Sequence, residues 1–172
     1  MSYVSDATRA LIGVESATVI SEPVSADAVR RFVQATSEED PVYWDEAVAV
    51  RRYGGPVAPP LYPMHAFRRR AGTSDPLDRV AQDPDWDGLS IDSAGALPPV
   101  DISLTRALNG GSTVEIHALA RIGEPVHRTS VYEGFDEKEG RSGPLVVVRT
   151  RSDYRTPSGQ LLISVQSSSV RR

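Results

Sequence analysis

A chain of 172 residues with 40% hydrophobic and 24% charged residues is long enough for one domain's core and has the balance of a globular protein. Its net charge of -4 offers no basic field to a phosphate backbone, which argues against nucleic acid as a partner, and the lack of cysteine excludes disulfides, thiolate nucleophiles and thiolate metal sites. No apolar run approaches the roughly eighteen residues of a membrane span, and the start has no basic-then-apolar leader, so a soluble cytoplasmic protein is expected.

In chain order, "ATVI" reads as a short edge strand. A helix follows, opened by Ser25 as N-cap with Asp27 in its first turn, presenting Val29, Phe32, Val33 and Thr36 on one face and ending before Pro41. A second helix begins at Asp45, sends Ala47, Val48 and Val50 to the core, and stops at Gly54-Gly55. A third is expected from Pro63 through Met64 and Phe67 to Ala71, with Arg68, Arg69 and Arg70 at its C-terminal end and Gly72 as terminator. As the most apolar helix of this half, it is expected at the centre of the fold.

From Thr73 to about Pro99 the composition shifts to Pro, Gly, Asp and Ser, too long for an ordinary connection. Its apolar anchors, among them Trp86 and Leu89, suit an ordered flap lying folded against the domain. Beyond it the sequence alternates. "STVEIHALARI" places Val114, Ile116, Ala118, Ala120 and Ile122 on one face, and "EPVHRTSVYEGF", "GPLVVVRTRSDYRT" and "GQLLISVQSSSVRR" continue as strands, the last two joined at "TPSGQ". Helices followed by a run of strands indicate an α+β domain in which an antiparallel sheet curls over a helix, here one domain over residues 1–172.

Two stretches, "SEEDPVYWDEAVAVRRYGGPVAPP" and the strand region around "RIGEPV", "GRSGPLVVV" and "SGQLL", resemble MaoC-like dehydratases and (R)-specific enoyl-CoA hydratases, in the N-terminal (FAS1-like dehydratase) branch. The resemblance implies a hot-dog fold, a sheet wrapped round a central helix, dimerising edge to edge with acyl-thioester pockets at the interface. It also implies a thioester of coenzyme A or acyl carrier protein as substrate and no cofactor.

Against that group's G-D-x-N-P-[LIV]-H motif, Ser37 stands at the Gly, Glu38 at the catalytic Asp, Asp40 at the Asn, Pro41 at the Pro and Tyr43 at the catalytic His. Holding a tyrosine deprotonated at pH 7 costs roughly 4 kcal/mol, and a neighbouring carboxylate raises that cost. Glu38, Asp40 and Tyr43 are the candidate catalytic positions of a degenerate dyad, or else a solvated turn ahead of a proline.

His65, His117 and His127 are scattered, without carboxylates at ligand spacing, so no metal site is expected. Arg68 and Arg69 either bind coenzyme phosphates or complement a helix terminus. Gly110-Gly111 fit a turn or bulge at a strand start. The chain is thus expected to be a hydro-lyase subunit, a homodimer or a heterodimer with a catalytic MaoC-like partner. The alternatives are a self-sufficient homodimeric hydratase with an altered dyad, a hot-dog thioesterase, and a structural or binding module.

Overall fold

The alternating residues of the last seventy positions form four strands of a five-stranded antiparallel sheet, whose fifth strand comes from the N-terminal part, in the order β1-β3-β4-β5-β2. Its strands are β1 (Val19–Ile20), β2 (Ala107–Ile116), β3 (His127–Gly140), β4 (Gly143–Arg155) and β5 (Leu161–Arg171). The helices are α1 (Asp6–Arg9), α2 (Ala26–Thr36) and α3 (Glu46–Tyr53), with 3-10 turns at Pro41–Tyr43 and Tyr62–His65. The computed structural model describes residues 2–68 and 97–172, with positions 72, 73, 78 and 82 between them.

Register decides which side chains share a face. Tyr154 lies opposite Arg128 on one side and Ile163 on the other, and Val148 lies opposite Phe135 and Ser169. This inner face has two apolar ends. At one, Val29 and Val33 of α2 with Ala58, Tyr62 and Ala66 pack on Tyr154, Ile163 and Val165. At the other, Val4 and Leu97 pack on Tyr132, Phe135, Val146 and Val148. Hydroxyls lie between the ends, paired as Ser130 with Ser152 and Ser112 with Ser167, each at 2.8 Å.

The two sheet edges are treated differently. Along β3 the N-terminal segment closes the ladder, with Gly13 N–H donating to Tyr132 O at 3.0 Å and Ser16 N–H to Ser130 O at 2.8 Å. Among the described residues no segment pairs with the outer edge of β2. That strand is exposed almost throughout, including Leu108 and Ile116 at 41% and 54%. An edge that the described residues leave unpaired over this length is a template for another segment or chain.

Most expected elements stand. Ser25 caps α2, accepting from Ala28 N–H at 3.2 Å, and Asp45 caps α3, accepting from Val48 N–H at 3.1 Å. Gly54 ends α3 at φ 75°. "TPSGQ" makes the β4–β5 turn, with Thr156 N–H bonded to Gln160 O at 2.9 Å. Asn109 and Gly111 flank a bulge in β2, and Asn109 Oδ1 accepts from Gly111 N–H at 2.8 Å.

Several expectations are corrected. Pro63 to Ala71 does not form an α-helix over its described part. The backbone makes a 3-10 turn over Tyr62–His65 and is not helical over 66–68, while 69–71 lie outside the described residues. Pro59, Pro60 and Pro63 leave this turn short of amide donors, and no side chain caps its start at Leu61. Tyr62, Pro63 and Ala66 are nevertheless buried, while Met64 faces outward. In α3 the buried residue is Ala49, which meets Val42 and Val57, and Val50 is 52% exposed. Thr36 is exposed, its hydroxyl folded back to Phe32 O at 2.9 Å.

The first strand after the flap starts at Ala107 and stops at Ile116. There His117 and Ala118 N–H both donate to Leu162 O, at 2.8 and 3.1 Å, and the chain leaves the ladder. The flap lies largely outside the described residues.

Candidate active-site loop

The loop between α2 and α3 begins with a Schellman turn. Glu38 N–H reaches back to Val33 O at 3.0 Å and Ser37 N–H to Gln34 O at 3.4 Å, with Ser37 in the left-handed region at φ 52°. Ser37 is the single non-glycine residue with positive φ among those described. The position therefore favours the glycine that the related motif carries there.

The two acidic candidates are turned onto local donors. Glu38 Oε1 accepts from the N–H groups of Glu39 and Asp40 at 3.1 and 3.3 Å. Asp40 Oδ1 caps the following 3-10 turn by accepting from Val42 N–H at 3.0 Å. Both Asp40 oxygens also accept from Arg52 Nη1 at 3.0 Å. Arg52 sits on α3, twelve residues further on, and no local pattern in the sequence marked it as a partner.

Tyr43 is the third member. Its ring is half-buried where two apolar clusters meet, beside Val42 and Ala49 on one side and the α2 cluster on the other. Burial pushes its phenol up to about 12, helped by the charges of Glu38, Asp40 and Tyr53. A phenolate fraction on the order of one in a hundred thousand remains at pH 7. The loop thus brings Glu38, Asp40 and Tyr43 together, yet as an acceptor turn and a protonated phenol. At that pKa the phenol does not act as a base near neutrality.

The other candidates lie elsewhere. Arg68 is exposed and close enough to Tyr62 and His65 to influence both electrostatically. Burial and then Arg68 hold His65 below the ordinary imidazole range, and its ring lies 4.9 Å from that of Phe32. Arg69, Trp86 and Leu89 lie outside the described residues. His117 approaches Glu115 at 3.9 Å on an exposed strand end. Among the described residues there is no group of three or more His, Asp or Glu able to hold a metal, and no helix long and apolar enough to cross a membrane.

The motif's second half explains its own residues. Arg121 of "RIGEPV" donates from Nη2 to Tyr53 O at 2.7 Å, capping the end of α3. A Cβ at Gly55 would meet its guanidinium at 3.4 Å. Val57 bridges Arg121, and Ala58 N–H donates to Ala120 O at 2.9 Å, so "GGPVAP" and "ALARI" meet as one unit.

A family profile described as "FAS1-like, dehydratase domain region" matches residues 10–165. The chain belongs to this family. The FAS1-like region is also similar to the mesaconyl-C(4)-CoA hydratase of Chloroflexus aurantiacus, 29% identical over 133 residues, 72% of this chain and 44% of that protein. It thus spans less than half the length of that curated relative.

Among solved structures, the ChsH1–ChsH2 complex from Mycobacterium tuberculosis matches with a TM-score of 0.69 at 16% identity, covering 96% of this chain and 86% of that one. The truncated HadBC complex, a (3R)-hydroxyacyl-ACP dehydratase from the same organism, gives 0.55 at 15%, covering 89% and 95%. The FAS1-like region is a MaoC-like hot dog.

Proposed function

We propose that this FAS1-like region is the non-catalytic half of an acyl-thioester hydratase/dehydratase, interconverting 3-hydroxyacyl and 2-enoyl thioesters together with a MaoC-like subunit that keeps Asp and His. The observation that carries this reading is Tyr43. It stands at the histidine position, is held protonated to about pH 12, and is flanked by carboxylates already engaged by backbone donors and Arg52. Two further features support a partner: the outer edge of β2, with which no described segment pairs, and the two-component complexes named for the structural neighbours. In this proposal Arg68 and Arg69 contact the coenzyme or carrier phosphates, and Trp86 and Leu89 line the acyl end.

The test is hydration of crotonyl-CoA and a long-chain enoyl-CoA by the purified chain, alone and mixed with a MaoC-like subunit bearing an intact motif. The expected result is no turnover alone and turnover in the mixture. Amides of β2 should become protected from hydrogen exchange only on mixing. Robust hydration by the single chain, abolished by Glu38→Gln or Asp40→Asn, would replace this reading with an altered dyad. Release of free thiol would make the chain a thioesterase.

A further inference from the structure

One side of α3 is accounted for by the core. Ala49 is buried against Val42 and Val57, with Val48 and Leu119 packed beside them. Another side carries a second apolar series. Trp44, Ala47, Val50 and Tyr53 recur at every third position, a spacing that makes neighbours of successive members along a helix. All four are exposed, Trp44 at 57%, Val50 at 52% and Tyr53 at 43%. Trp44, Ala47 and Val50 line one shallow concavity together with Asp45 and Glu46. Single apolar residues are ordinary on a protein surface, whereas a contiguous series marks a contact.

The charges on this side are ordered along the helix. Asp45 and Glu46 stand at its start, and Arg51 and Arg52 in its last turn. A face with acid at one end, base at the other and apolar side chains between is complementary to itself across a twofold axis, where every contact occurs twice. We infer that this face of α3 docks on the same face of a second copy of the chain, the two helices running antiparallel. With Ala47 level with Val50 of the second copy, Glu46 meets Arg51 and Trp44 meets Tyr53. The inference goes beyond the hydratase reading and does not depend on it.

The order of the charges is the reason a second copy is preferred to a different protein. Arg52 is engaged by Asp40, so the rim pairing falls to Arg51. The small side chain of Ala47 leaves a hollow that Val50 of the second copy fills. Four side chains on one short helix cover well under the roughly 800 Å² per partner of a standard interface, so the association is weak, with a Kd on the order of 100 µM.

The experiment is sedimentation velocity of the full chain between about 5 and 500 µM. The weight-average sedimentation coefficient of the wild type is expected to rise across that range. Val50→Glu places a carboxylate at the centre of the contact and should weaken the association about tenfold or more, at an unchanged melting temperature because the side chain is exposed. Glu46→Lys and Arg51→Glu should each weaken it by setting like charges opposite one another. Both substitutions in one chain should restore it, because the reversed charges still meet. Should Val50→Glu fail to fold, the charge series decides alone.

A sedimentation coefficient constant over the range overturns the inference, as it would if another segment of the same chain covers the face. Association that survives Val50→Glu belongs to another surface and also overturns it. Failure of the double substitution to restore what the single ones weaken overturns the antiparallel pairing. If Val50→Glu instead stops the chain combining with the Asp/His subunit, the face belongs to that partner and the inference falls. Each of these outcomes leaves the hydratase reading to its own turnover assay.

Discussion

Arg52 on α3 donates from one nitrogen to both carboxylate oxygens of Asp40 at 3.0 Å, tying the helix to the loop that precedes it. Asp40 occupies the position where related motifs carry a neutral Asn. Its extra charge is met by a cation from the next helix, and its Oδ1 still performs the cap on Val42 N–H. Both roles shape the loop: one holds the turn over Pro41–Tyr43 and the other ties it to α3.

That division sets a prediction. Asp40→Asn keeps the cap and loses an exposed pair, so it should cost less than about 1 kcal/mol. Asp40→Ala loses both and should cost about 1–2 kcal/mol. Urea unfolding of the two variants measures the difference; equal costs would show that the cap contributes nothing.

Ser37 holds a left-handed conformation at the end of α2. Ser37→Gly relieves the Cβ penalty of that conformation and should raise stability by about 0.5–1 kcal/mol, seen as a higher urea midpoint at unchanged m-value. A lower midpoint would mean that the entropy of the more flexible unfolded chain outweighs the relief.

Tyr43 gives a pH signature on the alkaline side. Its phenol is raised to about 12 in the folded chain by burial, with Glu38 and Asp40 adding to the effect. The unfolded chain releases the same proton near pH 10. Its contribution is therefore complete below about pH 10 and lost as pH rises towards 12. Tyr62 and Tyr154 shift in the same direction, chiefly through burial. Stability should decline over that window and less steeply in Tyr43→Phe, followed by denaturation at fixed pH values; an unchanged slope would place the phenol in a water-like setting.

Gly110 faces the neighbouring strand so closely that a Cβ would lie 2.5 Å from Ser168 Oγ and 3.0 Å from Ser168 O. Gly110→Ala should destabilise by about 1–3 kcal/mol. Adding Ser168→Ala should recover only part of the loss, because the backbone oxygen stays in place. Full recovery in the double variant would show that the strands can separate there at little cost.

The sequence by itself determined the elements whose signals are local. Ser25 and Asp45 announced two helix starts through side chains that bond amides three residues on, Gly54 announced an end, and the alternation in β3, β4 and β5 announced strands because period two is a property of the extended backbone. It also identified the altered motif, since the identity of residue 43 needs no coordinates, and with it the reason why a phenol makes a poor base.

What only the tertiary structure decided are the features set by residues far apart in the chain. The segment after Pro63 read as helix from its apolar spacing, yet its described part is held as a short turn by its prolines and by burial of Tyr62 and Ala66 against the sheet. The partners of Asp40 and Tyr53 are arginines twelve and sixty-eight residues away, beyond any local rule. Arg128 looked like one charge among many in an alternating strand. Its register against Tyr154 places it on the inner face, because strand pairing decides which side of the sheet each residue occupies, and that in turn decides whether a guanidinium meets water or an apolar wall.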